Sequence, residues 1–129
     1  MVVDTSALCA VLFDEPEGQE FSRLLATEDR KFLSALTALE VGMVVESRWG
    51  PEGTQRLETL LDLACIDVVA IDASLSEVAL DGWRRFGKGR HRAGLNLGDC
   101  ASYALAKVLH QPLLYKGDDF TFTDVARQA

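Results

Sequence analysis

The sequence predicts an α/β protein: a parallel sheet covered by helices on both faces. Three observations predict it. Short apolar segments with strand character recur at 1–3, 31–34, 66–71 and 112–115. Each consecutive pair is separated by two stretches of helical character, giving the order βααβααβααβ. Strands that alternate with helices are joined by crossovers, which make the sheet parallel and cover it on both sides.

The elements follow in order. MVV is short and apolar and runs into Asp4-Thr5-Ser6, a set of N-cap residues that starts the helix ALCAVLFDE, which stops near Pro16. In GQEFSRLLATE, Phe21, Leu24 and Leu25 repeat at helical spacing. KFLS is a short strand, and LTALEVGMVVESRW a long helix ending before Gly50-Pro51. Pro51 opens the helix PEGTQRLETLLDLA, and IDVVAI is the clearest strand of the chain. Asp72-Ala73-Ser74 starts the helix SLSEVALDGWRRF, which runs into the basic segment RRFGKGRHR. From Asp99 to Leu109 nearly every residue is apolar or small, which predicts a helix buried on all sides. PLLY is the last strand, KGDDF turns away from its carboxyl end, and the tail TFTDVARQA is expected to fray.

A chain of 129 residues fits one domain, 1–129, and is long enough to bury a core. No apolar run is long enough to span a bilayer, and MVVDTSAL lacks a basic leader, so no membrane association and a cytoplasmic location are expected. Cys9, Cys65 and Cys100 are scattered and odd in number; neither a zinc site nor a disulfide framework is expected. The net charge of −7 excludes a general nucleic-acid coat protein, which would be basic. It does not exclude an enzyme that meets nucleic acid through metal ions. The segment 84–92 is the one dense run of positive charge, either a solvated loop or a phosphate-binding edge.

Several acids are not required by local structure. Asp4 follows the first strand, where open α/β sheets place ligand sites. Glu40 shares a helical face with Leu36 and Met43, and a charged carboxylate on a buried face is costly unless paired or bound to a cation. Asn96 and Asp99 have capping-box spacing, and capping alone accounts for Asp99; its company elsewhere in the chain changes the reading. Asp118 and Asp119 follow the last strand. The carboxyl ends of parallel strands share one edge, so these acids can converge. Converging carboxylates repel one another unless cations are present. Their hard oxygens, with no His or Cys nearby, suit Mg²⁺ or Mn²⁺.

Four blocks, MVVDTSALCAVLFDEPE, SALTALEVGMVVESR, HRAGLNLGDCASYALAK and PLLYKGDDFTFTDV, together resemble the signature blocks of VapC-type toxins. These are PIN-domain ribonucleases of type II toxin–antitoxin systems. The resemblance covers essentially the whole chain. It implies a PIN-like three-layer α/β/α sandwich with a central parallel sheet, Mg²⁺- or Mn²⁺-dependent cleavage of RNA, inhibition by a VapB-type antitoxin, and a homodimer. It also implies that Asp4, Glu40, Asp99 and Asp119 are the catalytic, metal-holding acids. Asp118 stands as a substitute ligand or a supporting neighbour of Asp119. Thr5 or Ser6 would contribute a hydroxyl or amide, and Asn96 would orient Asp99 or a bound water.

The mechanism expected is metal-assisted hydrolysis of a phosphodiester. Asp4, Asp99 and Asp119 would hold one or two ions, and Glu40 would bind a second ion or help deprotonate the attacking water. Arg84, Arg85, Lys88, Arg90 and Arg92 would hold the RNA backbone. His91 is read as a loop residue, and Trp83 and Phe86 as core rather than base-stacking residues. A receiver domain and a haloacid-dehalogenase-like phosphatase fit poorly, because the first strand ends in Asp4-Thr5-Ser6 and the acids lie elsewhere than those sites require. The remaining alternative is a catalytically silent PIN-like protein that binds RNA or a partner. A pure binder has no reason to keep four mutually repelling acids.

Overall fold

A computed structural model describes residues 1–129. The strands are β1 (Val2–Val3), β2 (Lys31–Ser34), β3 (Ile66–Val69) and β4 (Leu113–Leu114). They form one parallel sheet in the order β3-β2-β1-β4. Between them lie α1 (Thr5–Leu12), α2 (Gly18–Thr27), α3 (Ala35–Trp49), α4 (Pro51–Leu63), α5 (Ala73–Phe86) and α6 (Leu97–Leu109).

Successive side chains of a strand point to opposite faces, and the two cores divide by that rule. Val3, Leu33 and Leu114 face a cluster with Leu8, Phe21, Leu25, Val41 and Leu57 from α1 to α4. Val2, Phe32 and Leu113 face a second cluster with Leu75, Tyr103, Leu105 and Phe120. The result is a three-layer α/β/α sandwich. Strand order runs outward from β1 through β2 to β3, then returns to β4 on the other side of β1. Ligand sites of open α/β sheets sit at such a reversal, at the carboxyl ends of the strands. Asp4 follows β1 at this place.

The predicted element order is the observed one, with differences at the ends of elements: α1 stops at Leu12, short of the expected end near Pro16, and β4 spans only Leu113–Leu114. β3 stops at Val69 rather than at residue 71, because its only partner, β2, ends at Ser34 opposite Val69. α1 begins at Thr5, since Asp4 is its N-cap and accepts from the Ser6 N–H. The tail is not frayed. The Leu113 N–H donates to Ala126 O at 2.8 Å and the Gln128 N–H donates to Leu113 O at 2.9 Å, so the tail pairs beside β4. Asp124 fastens it further, accepting from Tyr103 Oη at 2.7 Å and from Arg85 and Lys107 at 3.2 and 3.3 Å. An open edge at β4 and a ring of donors on α5 and α6 order a segment whose composition alone marks it as a loose end.

The helix expected to be buried on all sides from 99 to 109 is buried from Cys100 to Ala106, but its last turn opens to solvent, with Val108 47% exposed. Cys9, Cys65 and Cys100 are all free thiols. No helix is long and apolar enough to cross a membrane.

Candidate functional site

Asp4 is 3% exposed and held on both oxygens. Its Oδ2 accepts from the Ser6 N–H at 3.1 Å and from Ser6 Oγ at 2.7 Å, and its Oδ1 accepts from Ser102 Oγ at 2.7 Å. Ser6 Oγ in turn accepts from the Lys116 N–H at 3.0 Å, so the end of β4 is tied to the start of α1. Capping and site-building are the same act here: Asp4 starts α1 because it is the residue that leaves β1 at the sheet edge.

Asp99 shows the same economy. The side chain of Asn96 accepts from the Asp99 N–H at 2.9 Å, and Asp99 Oδ2 accepts from the Asn96 N–H at 3.0 Å, completing a capping box. Asp99 Oδ1 takes no hydrogen bond from the protein. Burial pushes the Asp99 carboxyl up to about 6, against the pull of the Asn96 N–H, and the charges of Asp4, Asp119 and Glu40 push it further the same way. The charges of Asp4, Asp119 and Glu40 are thus felt at Asp99.

Glu40 reaches this place from α3. Its Oε1 accepts from Thr5 Oγ1, and both its oxygens lie against the Cα of Gly98, where an added Cβ would come within 2.6–2.7 Å of them. The face that Glu40 shares with Leu36 and Met43 is apolar as predicted, but it is open rather than buried. Leu39 is 59% and Met43 63% exposed. Together with Leu36, Val44 and Leu97 they line a groove of about 340 Å³ that ends at Glu40. Glu40 is thus half-buried at an open groove, which lessens the burial cost that made it conspicuous in the sequence.

No three His, Cys, Asp or Glu side chains stand close enough together to hold one ion between them. The hydrogen bonds give the reason: Asp4 is turned to Ser6 and Ser102, Glu40 to Thr5, and Asp99 to Asn96. The donor set still fits a hard divalent cation. It is all oxygen, Asp99 Oδ1 and Glu40 Oε2 take no hydrogen bond from the protein, and the charges of Asp4, Asp119 and Glu40 bear on Asp99. Cys9 is no rival nucleophile, since burial, then Glu15, Asp4 and Glu40, push its thiol up to about 11.

The basic loop divides. Arg85 is engaged by Asp124 and Tyr103, and its guanidinium lies over Phe86. Arg84, Lys88, Arg90 and Arg92 have no acidic partner. Arg92 stacks on Phe122 at 4.3 Å, joining the loop to the 3₁₀ turn that carries Asp119. Arg90 stacks on Trp83 at 4.7 Å. Trp83 is 39% exposed, so the expectation that it is core is corrected: Gly82, not Trp83, meets the Tyr103 ring. Phe86 packs edge-on against Tyr103 as expected, and His91 is a loop residue that accepts from the Ala93 N–H at 3.0 Å.

Sequence reasoning missed Ser102, Thr37, Ser34 and Gly98. The available signals were a lone serine in an apolar helix, the N-cap spacing of Ser34 and Thr37, and a glycine beside Asp99.

A family model for the PIN domain matches residues 1–127. The chain is 50% identical over 126 residues to a ribonuclease VapC of Mycolicibacterium smegmatis, covering 98% of each chain. It is 46% identical over 129 residues to ribonuclease VapC30 of Mycobacterium tuberculosis, covering 100% of this chain and 98% of that one. The chain belongs to the VapC ribonucleases of the PIN-domain family. The VapC fold recurs in the solved structure of Mycobacterium tuberculosis VapC20, a sarcin–ricin-loop-cleaving toxin, at a TM-score of 0.79, 18% identity and 98% and 97% coverage of the two chains. A toxin–antitoxin complex from Klebsiella pneumoniae matches with a TM-score of 0.73 and 20% identity, at 98% and 95% coverage.

The Asp99 environment has a consequence for stability. Between about pH 4, where an unfolded Asp loses its proton, and about pH 6 the folded protein keeps the proton. The contribution of Asp99 to stability therefore falls as pH rises through that window. Melting of cation-free protein across pH 4–7 is expected to show this fall, and Asp99→Asn is expected to remove it. An identical pH dependence in the variant would contradict the shift.

Proposed function

We propose that the protein is the toxin of a type II toxin–antitoxin pair, a PIN domain spanning 1–129 that acts as a divalent-metal-dependent endoribonuclease. The observation that carries this reading is the match to VapC ribonucleases along the whole chain, and the charges of Asp4, Asp119 and Glu40 acting on the half-buried Asp99 support it.

Asp4, Asp99 and Asp119 would hold Mg²⁺ or Mn²⁺, with Asp118 and Asn96 beside them. When bound, the cation supplies Lewis acidity that lowers the pKa of a water and offsets charge developing on the phosphate. Thr5 fixes one oxygen of Glu40, and the other, Oε2, would accept the proton of an attacking water or hold a second ion. Asp99 stays in place through the capping box, and Ser6 holds Asp4. Arg84, Lys88, Arg90 and Arg92 hold the RNA backbone by charge, the sequence-independent part of such binding. The engagement of Arg85 by Asp124 gives it a structural role in this reading.

The VapB-type antitoxin would lay an apolar segment in the groove of Leu36, Leu39, Met43 and Val44, whose end at Glu40 gives access to the acids. A homodimer is the assembly proposed; exposed Leu80, Trp83 and Leu97 offer a second apolar surface for it. The three free thiols favour a cytoplasmic location.

Purified protein, freed of antitoxin, is expected to cut total RNA into discrete fragments with Mg²⁺ or Mn²⁺ and to leave it intact with EDTA. Intact RNA under both cations would favour the catalytically silent binder instead.

A further inference from the structure

Four of the five buried polar or charged residues, Asp4, Ser34, Thr37 and Ser102, form one hydrogen-bonded chain. The fifth, Lys31, is explained by local structure, since its Nζ donates to the carbonyls of Leu25 and Glu28 at 2.9 and 2.8 Å and closes the end of α2. The proton directions in the chain follow from its end. A carboxylate oxygen only accepts, so Ser102 Oγ gives its single proton to Asp4 Oδ1 at 2.7 Å. Ser102 Oγ must then accept from Thr37 Oγ1, at 3.2 Å. By the same step Thr37 Oγ1 accepts from Ser34 Oγ at 2.8 Å. All three hydroxyl protons point toward Asp4, and hydrogen bonds aligned this way polarise one another.

Secondary structure does not require this arrangement. Ser102 is flanked by Ala101, Tyr103, Ala104, Leu105 and Ala106, all buried, and alanine would favour the helix more. A buried hydroxyl is costly unless bonded. What the serine gains is its place. It lies one turn beyond Asp99 on α6, and Thr37 lies one turn before Glu40 on α3. Their contact therefore joins the two acid-bearing helices while gripping the third acid. Without it, Ser6 would hold Asp4 through Oδ2 alone and Oδ1 would lose its hydrogen bond.

We propose that Ser102, supported through Thr37 by Ser34, is a positioning residue that fixes the Asp4 carboxylate for the divalent cation. The proposal rests on the reading of Asp4 as a cation ligand. Removing groups that orient a ligand costs metal affinity, by roughly 10–100-fold in known sites. Loss of Ser102 is expected to act on cation binding first and on RNA cleavage through it.

The test is Mn²⁺ affinity, by titration followed with electron paramagnetic resonance, for wild type, Ser102→Ala, Ser102→Thr and Thr37→Val. A core control, Leu105→Val, separates positioning from general loosening. Ser102→Ala is expected to bind Mn²⁺ more weakly by roughly tenfold or more, with cleavage lost at low Mn²⁺ and returning at high Mn²⁺. Thr37→Val, which removes only the relaying hydroxyl, is expected to shift affinity less and in the same direction. It decides the matter should Ser102→Ala fail to fold. Ser102→Thr is expected to restore binding, and Leu105→Val to melt lower while binding Mn²⁺ as wild type does. Wild-type affinity in both Ser102→Ala and Thr37→Val overturns the proposal while leaving the nuclease reading intact. Weakened Mn²⁺ binding in those variants of a protein that cuts no RNA supports the proposal and overturns the nuclease reading. A wild type that binds no Mn²⁺ overturns both.

Discussion

Asp99→Asn is expected to leave a folded protein that no longer cleaves RNA. An asparagine at 99 keeps an oxygen to accept from the Asn96 N–H, so the capping box survives. Caps of this kind are worth about 1 kcal/mol, which the substitution does not forfeit. What it removes is the charge that holds a cation. A cation contributes several kcal/mol to stabilising a phosphoryl transition state, so the expected loss is on the order of 10³-fold in kcat/KM. Stability is expected to move the other way. Burial pushes the Asp99 carboxyl up to about 6, so above that pH its ionised form opposes folding of the cation-free protein. At pH 7.5 without cation the variant is expected to melt at or above wild type. Calorimetry and a fragment assay on the same preparation check both halves, and cleavage within tenfold of wild type would remove Asp99 from the site.

Gly98→Ala is the second large effect, and it acts through Glu40. A Cβ at 98 would stand 2.6–2.7 Å from the Glu40 oxygens and 2.9 Å from its Cδ. That atom group is the mobile end of a long side chain, so Glu40 swings aside and the fold is kept. Alanine favours the helix over glycine by about 1 kcal/mol, which offsets part of the strain. The displaced carboxylate no longer sits where Thr5 holds it, and misplacing a catalytic group by about 1 Å costs on the order of 10²-fold. The expected result is a protein with near-wild-type melting temperature and cleavage reduced about a hundredfold. Wild-type cleavage by Gly98→Ala would show that the seat of Glu40 against α6 does not matter to the reaction.

The sheet and its covering helices were legible in part because β1 and β3 lead into cap signals: Asp4 and Asp72 behave as their sequence positions predict. The acids were legible for a related reason. Residues that follow parallel strands share one edge, which groups Asp4 with Asp119, whereas Asp99 opens α6 after a loop and is grouped with them by the resemblance. The choice of Asp119 over Asp118 rests on the resemblance alone, since it depends on which side of one turn faces Asp99. The hydroxyl chain was not legible, because Ser102 meets Thr37 and Asp4 only through tertiary packing across 65 and 98 positions. The openness of the Glu40 face escaped for the opposite reason. Periodicity identifies an apolar stripe on α3, but nothing in the stripe says whether a neighbouring helix covers it.

The ends of the RNA fragments test the central claim most directly. If carboxylate-held cations activate a water, that water supplies the new oxygen on phosphorus, and the 2′-hydroxyl of the RNA is not the nucleophile. Fragments made with Mn²⁺ are then expected to carry a phosphate monoester at one new end and a hydroxyl at the other, with no 2′,3′-cyclic phosphate. Cyclic phosphate ends, or cleavage undiminished in EDTA, would contradict the account and assign the cutting to a different chemistry.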